Sequence, residues 1–203
     1  MKITEPLITT YNQLSQVTLK PATGVTLADN LAEGGTTPSK GTIAEATLYA
    51  HDHDASINVL VRPRGGVSHY TDPELKIMEA DVLEAQQLGA DGVTFGATTD
   101  AGDLDREGLN NLIAAAGGLS ITFGTAIDDV SDDQLANAVS WLAANGVEKV
   151  LTAKLAANDL PRLSQLNNLC QENGLQLIAL AKTAEQLASV ADQLKLGYFL
   201  LPA

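Results

Sequence analysis

The chain has 203 residues, 12 Lys and Arg against 25 Asp and Glu for a formal net charge of -13, and 45% hydrophobic but only 4% aromatic residues. That length buries a substantial core as one domain, and the acidic excess, with no basic stripe, excludes a surface built to neutralise nucleic-acid phosphates. No stretch reaches the roughly 18 to 20 apolar residues of a membrane helix, and a single cysteine, Cys170, forms no internal disulfide, so a cytoplasmic protein is expected.

The elements alternate along the chain. A first strand is predicted at residues 3–7, interrupted by Pro6, and a short helical stretch at 11–19. A second strand at 24–28 runs into the polar, glycine-bearing loop "DNLAEGGTTPSKG" (29–41), where Glu33 precedes Gly34 and Gly35. A third strand at 57–61 delivers Arg62-Pro63-Arg64-Gly65-Gly66, which holds half of the four arginines in the chain. Thr71-Asp72-Pro73-Glu74 then places a cap residue before a proline suited to a first helical turn, and Leu75, Met78, Val82, Ala85 and Leu88 repeat at helical spacing. A fourth strand at 92–95 leads into the loop 96–102. Strands follow at 119–123, 148–151, 175–180 and 198–201. Ser131-Asp132-Asp133-Gln134 reads as a capping box for the helix carrying Leu135, Val139 and Leu142, and Gly89 and Gly146 read as helix stops.

Repeated strand and helix units with short connections demand a parallel sheet. Eight such units in one domain spanning 1–203 predict a compact α/β protein, a TIM-like (β/α)8 barrel whose final helix is short or absent. In that architecture the chemistry sits at the carboxyl ends of the strands. Arg62 and Arg64 there suit a small anionic molecule, because guanidinium forks match carboxylate and phosphate oxygens; the alternative is pairing with Glu33, Asp29 or Asp128 to tie loops together. Glu33 offers a carboxylate beside backbone amides, or a plain turn. The run His51-Asp52-His53-Asp54 lies on the opposite, stability face and reads as a solvated loop. His69 reads as a surface histidine, and Cys170, among Leu163, Leu166 and Leu169, as a buried core residue.

Four blocks in order, "NLAEGGTTPSKG" (30–41), "NVLVRPRGG" (58–66), "LGADGVTFGATTDAGDLD" (88–105) and "AAGGLSITF" (115–123), resemble the CutC family of copper homeostasis proteins. The resemblance is strong over residues 24–152. It implies a TIM-like barrel, a homodimer, and a cytoplasmic role in copper homeostasis with copper ion binding as the suggested chemistry. It also implies a ligand-binding set of Asn30, Glu33, Arg62, Arg64 and Asp128, the positions that match the family pattern. Other family positions differ: the glutamate and cysteine expected at the second strand are Thr26 and Ala28, and the histidine and arginine expected after the fifth are Gly124 and Thr125. Loss of thiol and imidazole removes the ligands best suited to copper. Three readings therefore stand: direct copper binding, an enzyme or binder for a small anion held by Arg62 and Arg64, and an inactive relative acting through protein contacts. No resident cofactor or catalytic residue is assigned.

Overall fold

The computed structural model describes residues 2–17, 24–194 and 196–203. Among them eight strands alternate with seven α-helices: β1 (Ile3–Ile8), α1 (Tyr11–Leu14), β2 (Gly24–Leu27), α2 (Lys40–Asp52), β3 (Ser56–Leu60), α3 (Asp72–Gln87), β4 (Gly92–Phe95), α4 (Arg106–Ala115), β5 (Ser120–Phe123), α5 (Leu135–Ala144), β6 (Lys149–Thr152), α6 (Leu160–Glu172), β7 (Gln176–Leu180), α7 (Ala184–Leu194) and β8 (Tyr198–Pro202). The strands pair in parallel in sequence order and close into a barrel, with β8 returning to β1. This is the TIM-like (β/α)8 architecture, and among the described residues β8 is the last element. None of the described helices is long and apolar enough to cross a membrane.

Side-chain alternation along each strand separates two apolar regions. Outward residues such as Val25, Leu27, Val59, Phe95 and Phe123 join the buried faces of the helices in one large core. Inward residues Leu7, Ala28, Leu151, Ile178 and Leu200 form a smaller cluster inside the barrel. On α3 the buried positions are Leu75, Met78, Val82 and Ala85, the stripe expected from the spacing. Gly89 and Gly146 take left-handed φ angles of 86° and 84°, as helix-ending glycines do.

Three local expectations change. Pro6 does not interrupt β1: it pairs in register with Leu201 of β8, and the ladder to β2 begins only at Leu7, so its missing N–H costs no bond on that side. The first helix spans only Tyr11–Leu14, and residues 18 and 19 of the expected stretch lie outside those described. Ser131 does not cap α5; its hydroxyl donates to the Gly102 carbonyl at 3.2 Å, because a turn separates it from the helix start at Leu135. Near Thr71 the expectation holds, with the Thr71 amide donating to Glu74 Oε2 at 2.8 Å.

Cys170 is fully buried on α6, and burial pushes its thiol up to about 12. It is protonated and inert at neutral pH. Phe95 packs between sheet and helices with 1% of its surface exposed, so Phe95→Ala is expected to lower unfolding free energy by about 3–5 kcal/mol, measured by urea titration followed by circular dichroism.

Candidate active site at the barrel mouth

The carboxyl ends of the strands surround a cavity of about 660 Å³. Its walls are apolar, with Leu7, Ala28, Leu60, Leu151, Leu180 and Leu200 prominent. Polar groups occupy the two ends. Thr26 and Thr94 lie on the inward faces of β2 and β4, towards the barrel interior, while Glu33, Arg62, Tyr70, Asp128, Asp129 and Lys182 come from the loops at the mouth.

Five residues singled out from the sequence take different places. Glu33, Arg62 and Asp128 line the cavity, whereas Asn30 and Arg64 do not. Asn30 sits with φ 45° ahead of a short 3-10 turn, Leu31–Glu33, and its carbonyl accepts from the amides of Glu33 and Gly35 at 3.0 and 3.2 Å. It shapes the loop that carries Glu33.

Arg62 bridges the loops after β2 and β3. Its Nη1 donates to the carbonyls of Glu33, Gly34 and Gly35 at 3.0–3.3 Å. Its Nη2 donates to the Gly66 carbonyl, and its Nε to the Tyr70 hydroxyl at 3.4 Å. Thr37 completes the seam by exchanging backbone and hydroxyl bonds with Arg62. All these acceptors are neutral. Among the described residues no carboxylate forms an ion pair with Arg62, so its guanidinium is held by neutral carbonyls alone.

Arg64 has turned the other way. Its Nε donates to Glu74 Oε1 at 2.5 Å and its Nη2 to the His69 carbonyl at 2.8 Å, while its guanidinium lies 5.1 Å from the Tyr70 ring centroid. The hydrogen bond from Arg64, then that from the Thr71 amide, hold the Glu74 carboxyl at about 2. Glu74 is also the residue that closes the start of α3. Arg64 therefore joins the loop after β3 to the helix that follows it.

The Asp128 carboxyl is pushed above the usual carboxylate range. Burial is the leading cause, opposed by hydrogen bonds from the Thr152 hydroxyl at 2.5 Å and the Ala153 amide at 2.8 Å, and by the charges of Lys154 and Arg162. Such a group can hold or release a proton closer to neutrality than an ordinary carboxylate. Asp129, its neighbour, accepts weakly from the Ser68 amide at 3.3 Å.

A family model described as the CutC family matches residues 3–194. The chain belongs to the CutC family. A CutC family protein of Enterococcus faecalis is 45% identical over 142 residues, 70% of this chain and 68% of that protein. The human protein named copper homeostasis protein cutC homolog is 36% identical over 148 residues, 73% of this chain but about half, 52%, of its own length. The crystal structure of CutC from Streptococcus agalactiae superposes with a TM-score of 0.90 at 28% identity, covering 99% of this chain and 98% of that one. Deoxyribose phosphate aldolase from Aeropyrum pernix shares the fold alone, at TM-score 0.68 and 11% identity over 97% of this chain and 84% of that one.

Copper fits this mouth poorly. Its lining offers carboxylates, hydroxyls and an amine, hard donors, and neither thiol nor imidazole. No group of three His, Cys, Asp or Glu is placed to hold a metal ion among the described residues. A Cβ on Gly124 would lie 3.3 Å from Thr94 Cγ2.

Thr26, Thr94, Tyr70 and Lys182 were not singled out from the sequence as site residues. Lys182 had a usable signal, since it lies just past the end of β7, where this fold carries its chemistry. Thr26 and Thr94 read as ordinary strand residues until the barrel closes around them. The Arg64–Glu74 pair generates a pH prediction. Because the Glu74 pKa is depressed on folding, its contribution is complete above the ordinary value of 4.5 and fades as pH falls towards about 2. Exchange of the Thr71 amide hydrogen, corrected for intrinsic rate, is expected to quicken across that window, and Glu74→Gln is expected to quicken it already at pH 7.

Proposed function

We propose that this CutC-family chain binds a small organic anion at the barrel mouth, and that its part in copper homeostasis runs through that ligand and not through copper held by its own side chains. In this reading the protein works in the cytoplasm as a homodimer, as the family resemblance implies. The carrying observation is Arg62: a guanidinium without a carboxylate partner among the described residues, at the edge of a cavity whose walls are apolar. Its bonds to loop carbonyls fix its position before a ligand arrives, and a fixed cation in a partly dry site interacts more strongly with an anion than one in water. Lys182 adds a second cation to the lining, while Glu33 and Asp129 favour a ligand that carries its charge at one end only. Asp128, with its raised pKa, is the group to move a proton if the bound molecule is also transformed.

Direct copper binding is the reading suggested by the names of the relatives, and the two are separable by calorimetry on the unaltered protein. Hexanoate is expected to bind at least about tenfold more tightly than its neutral isostere hexanamide, the worth of one charge-assisted hydrogen bond. Copper titrated into the same protein is expected to give no saturable site tighter than about 1 μM. Equal affinity for acid and amide removes the anion reading, and a stoichiometric copper site tighter than that limit restores the metal one.

A further inference from the structure

The anion reading accounts for one end of a ligand and leaves the apolar side of the cavity without an occupant. Around the closed ring β6, β7, β8, β1, β2 and β3 are consecutive neighbours. Each brings an aliphatic residue to the cavity wall at or near its carboxyl end: Leu151, Leu180, Leu200, Leu7, Ala28 and Leu60. They stand in two tiers. Leu7, Ala28, Leu151 and Leu200 are buried together, while Leu31, Leu60 and Leu180 pack on that cluster and stay partly exposed. Leucines left partly wet inside a concave site favour an apolar group that covers them.

One loop holds the charge anchor and the upper tier side by side. Leu31 opens the 3-10 turn Leu31–Glu33, and the carbonyls of Glu33 and Gly34 accept from Arg62 Nη1. Gly35, whose carbonyl accepts from the same nitrogen at 3.3 Å, lies so close to Leu60 that a Cβ on it would stand 2.5 Å from Leu60 Cδ2. Arg62 thus fixes a loop that packs directly on the leucines next to it. Size adds a second constraint. At about 30 Å³ for each non-hydrogen atom, the share of a molecule in liquid water, a cavity of about 660 Å³ takes on the order of twenty such atoms. An ion the size of acetate fills a small part of it.

We propose that the anion bound at this mouth is a carboxylate with a hydrocarbon body of about six carbons or more, a medium-chain fatty acid in chemical class, with its acid at Arg62 and its body against the two tiers of leucine. The inference rests on the anion reading and names the other end of the same ligand.

The test is calorimetry on the full chain with butanoate, octanoate and octanedioate. Each added methylene that leaves water strengthens binding by about two- to fourfold, so octanoate is expected to bind at least about tenfold more tightly than butanoate. Octanedioate, of the same length, brings a second charge among the leucines and is expected to bind at least about tenfold more weakly than octanoate. In Leu180→Asn the preference for octanoate over butanoate is expected to shrink by about threefold or more, whereas Leu180→Met, apolar and of similar volume, is expected to keep it. Leu31→Asn is expected to shrink it as well and carries the test if thermal unfolding shows that Leu180→Asn does not fold. Octanoate within about twofold of butanoate, octanedioate as tight as octanoate, or a preference unchanged in every folded asparagine variant overturns the hydrocarbon body and leaves the anion reading to the comparison of hexanoate with hexanamide. If no acid binds saturably, the anion reading fails and this inference fails with it.

Discussion

The seam between β1 and β8 is the contact on which the rest of this molecule depends. Five register pairs, from Ile3 with Tyr198 to Leu7 with Pro202, join the first strand to the last and turn an open sheet into a ring. Closure carries a large loop-entropy cost, met by backbone bonds along the seam and by apolar residues packed on both faces of the sheet. It also brings the carboxyl ends of the eight strands around one cavity. Glu5 and Tyr198, 193 positions apart in sequence, become hydrogen-bond partners only through this seam.

At the mouth, the two arginines of one tripeptide separate. Within a strand, residues two apart share a face, but β3 ends at Leu60, and Arg62 and Arg64 are no longer bound by that rule. Arg62 remains beside the cavity, held by carbonyls of the neighbouring loop. Arg64 turns to Glu74, where its charge is neutralised and helps to define the start of α3. The pair thus combines both roles open to it: one guanidinium keeps a charge available, and the other ties a loop to a helix. Their proximity in sequence reflects a shared loop and not a shared ligand.

The barrel interior departs from the branched apolar layers usual in this architecture. Besides the apolar cluster of Leu7, Ala28, Leu151, Ile178 and Leu200, the strands also carry the hydrogen-bonded polar residues Glu5, Thr26, Asn58, Thr94 and Tyr198. A buried carboxylate is costly unless it receives hydrogen bonds, and Thr26 and Tyr198 supply two. Burial and the Glu5 carboxylate also raise the Tyr198 pKa, which keeps the phenol protonated as a donor. Thr26 is thus bonded to Glu5, two residues below the Leu7 with which it pairs.

The sequence by itself determined the architecture. Strand and helix periods, the Thr71 start of α3 and the glycines that stop helices are local signals, written in residues within a turn or two of one another, and they were legible because local sterics and amphipathic spacing decide them. The family was legible too, in contiguous blocks. The placement of Glu33, Arg62 and Asp128 at the mouth followed from their positions after strands. What only the tertiary structure decided was which polar groups meet. The turning away of Arg64, the continuity of β1 through Pro6, the use of Ser131 by Gly102, and above all the Glu5 to Thr26 and Asn58 to Thr94 bonds depend on register and closure. Those are relations between strands far apart in the chain, which burial and register bring together.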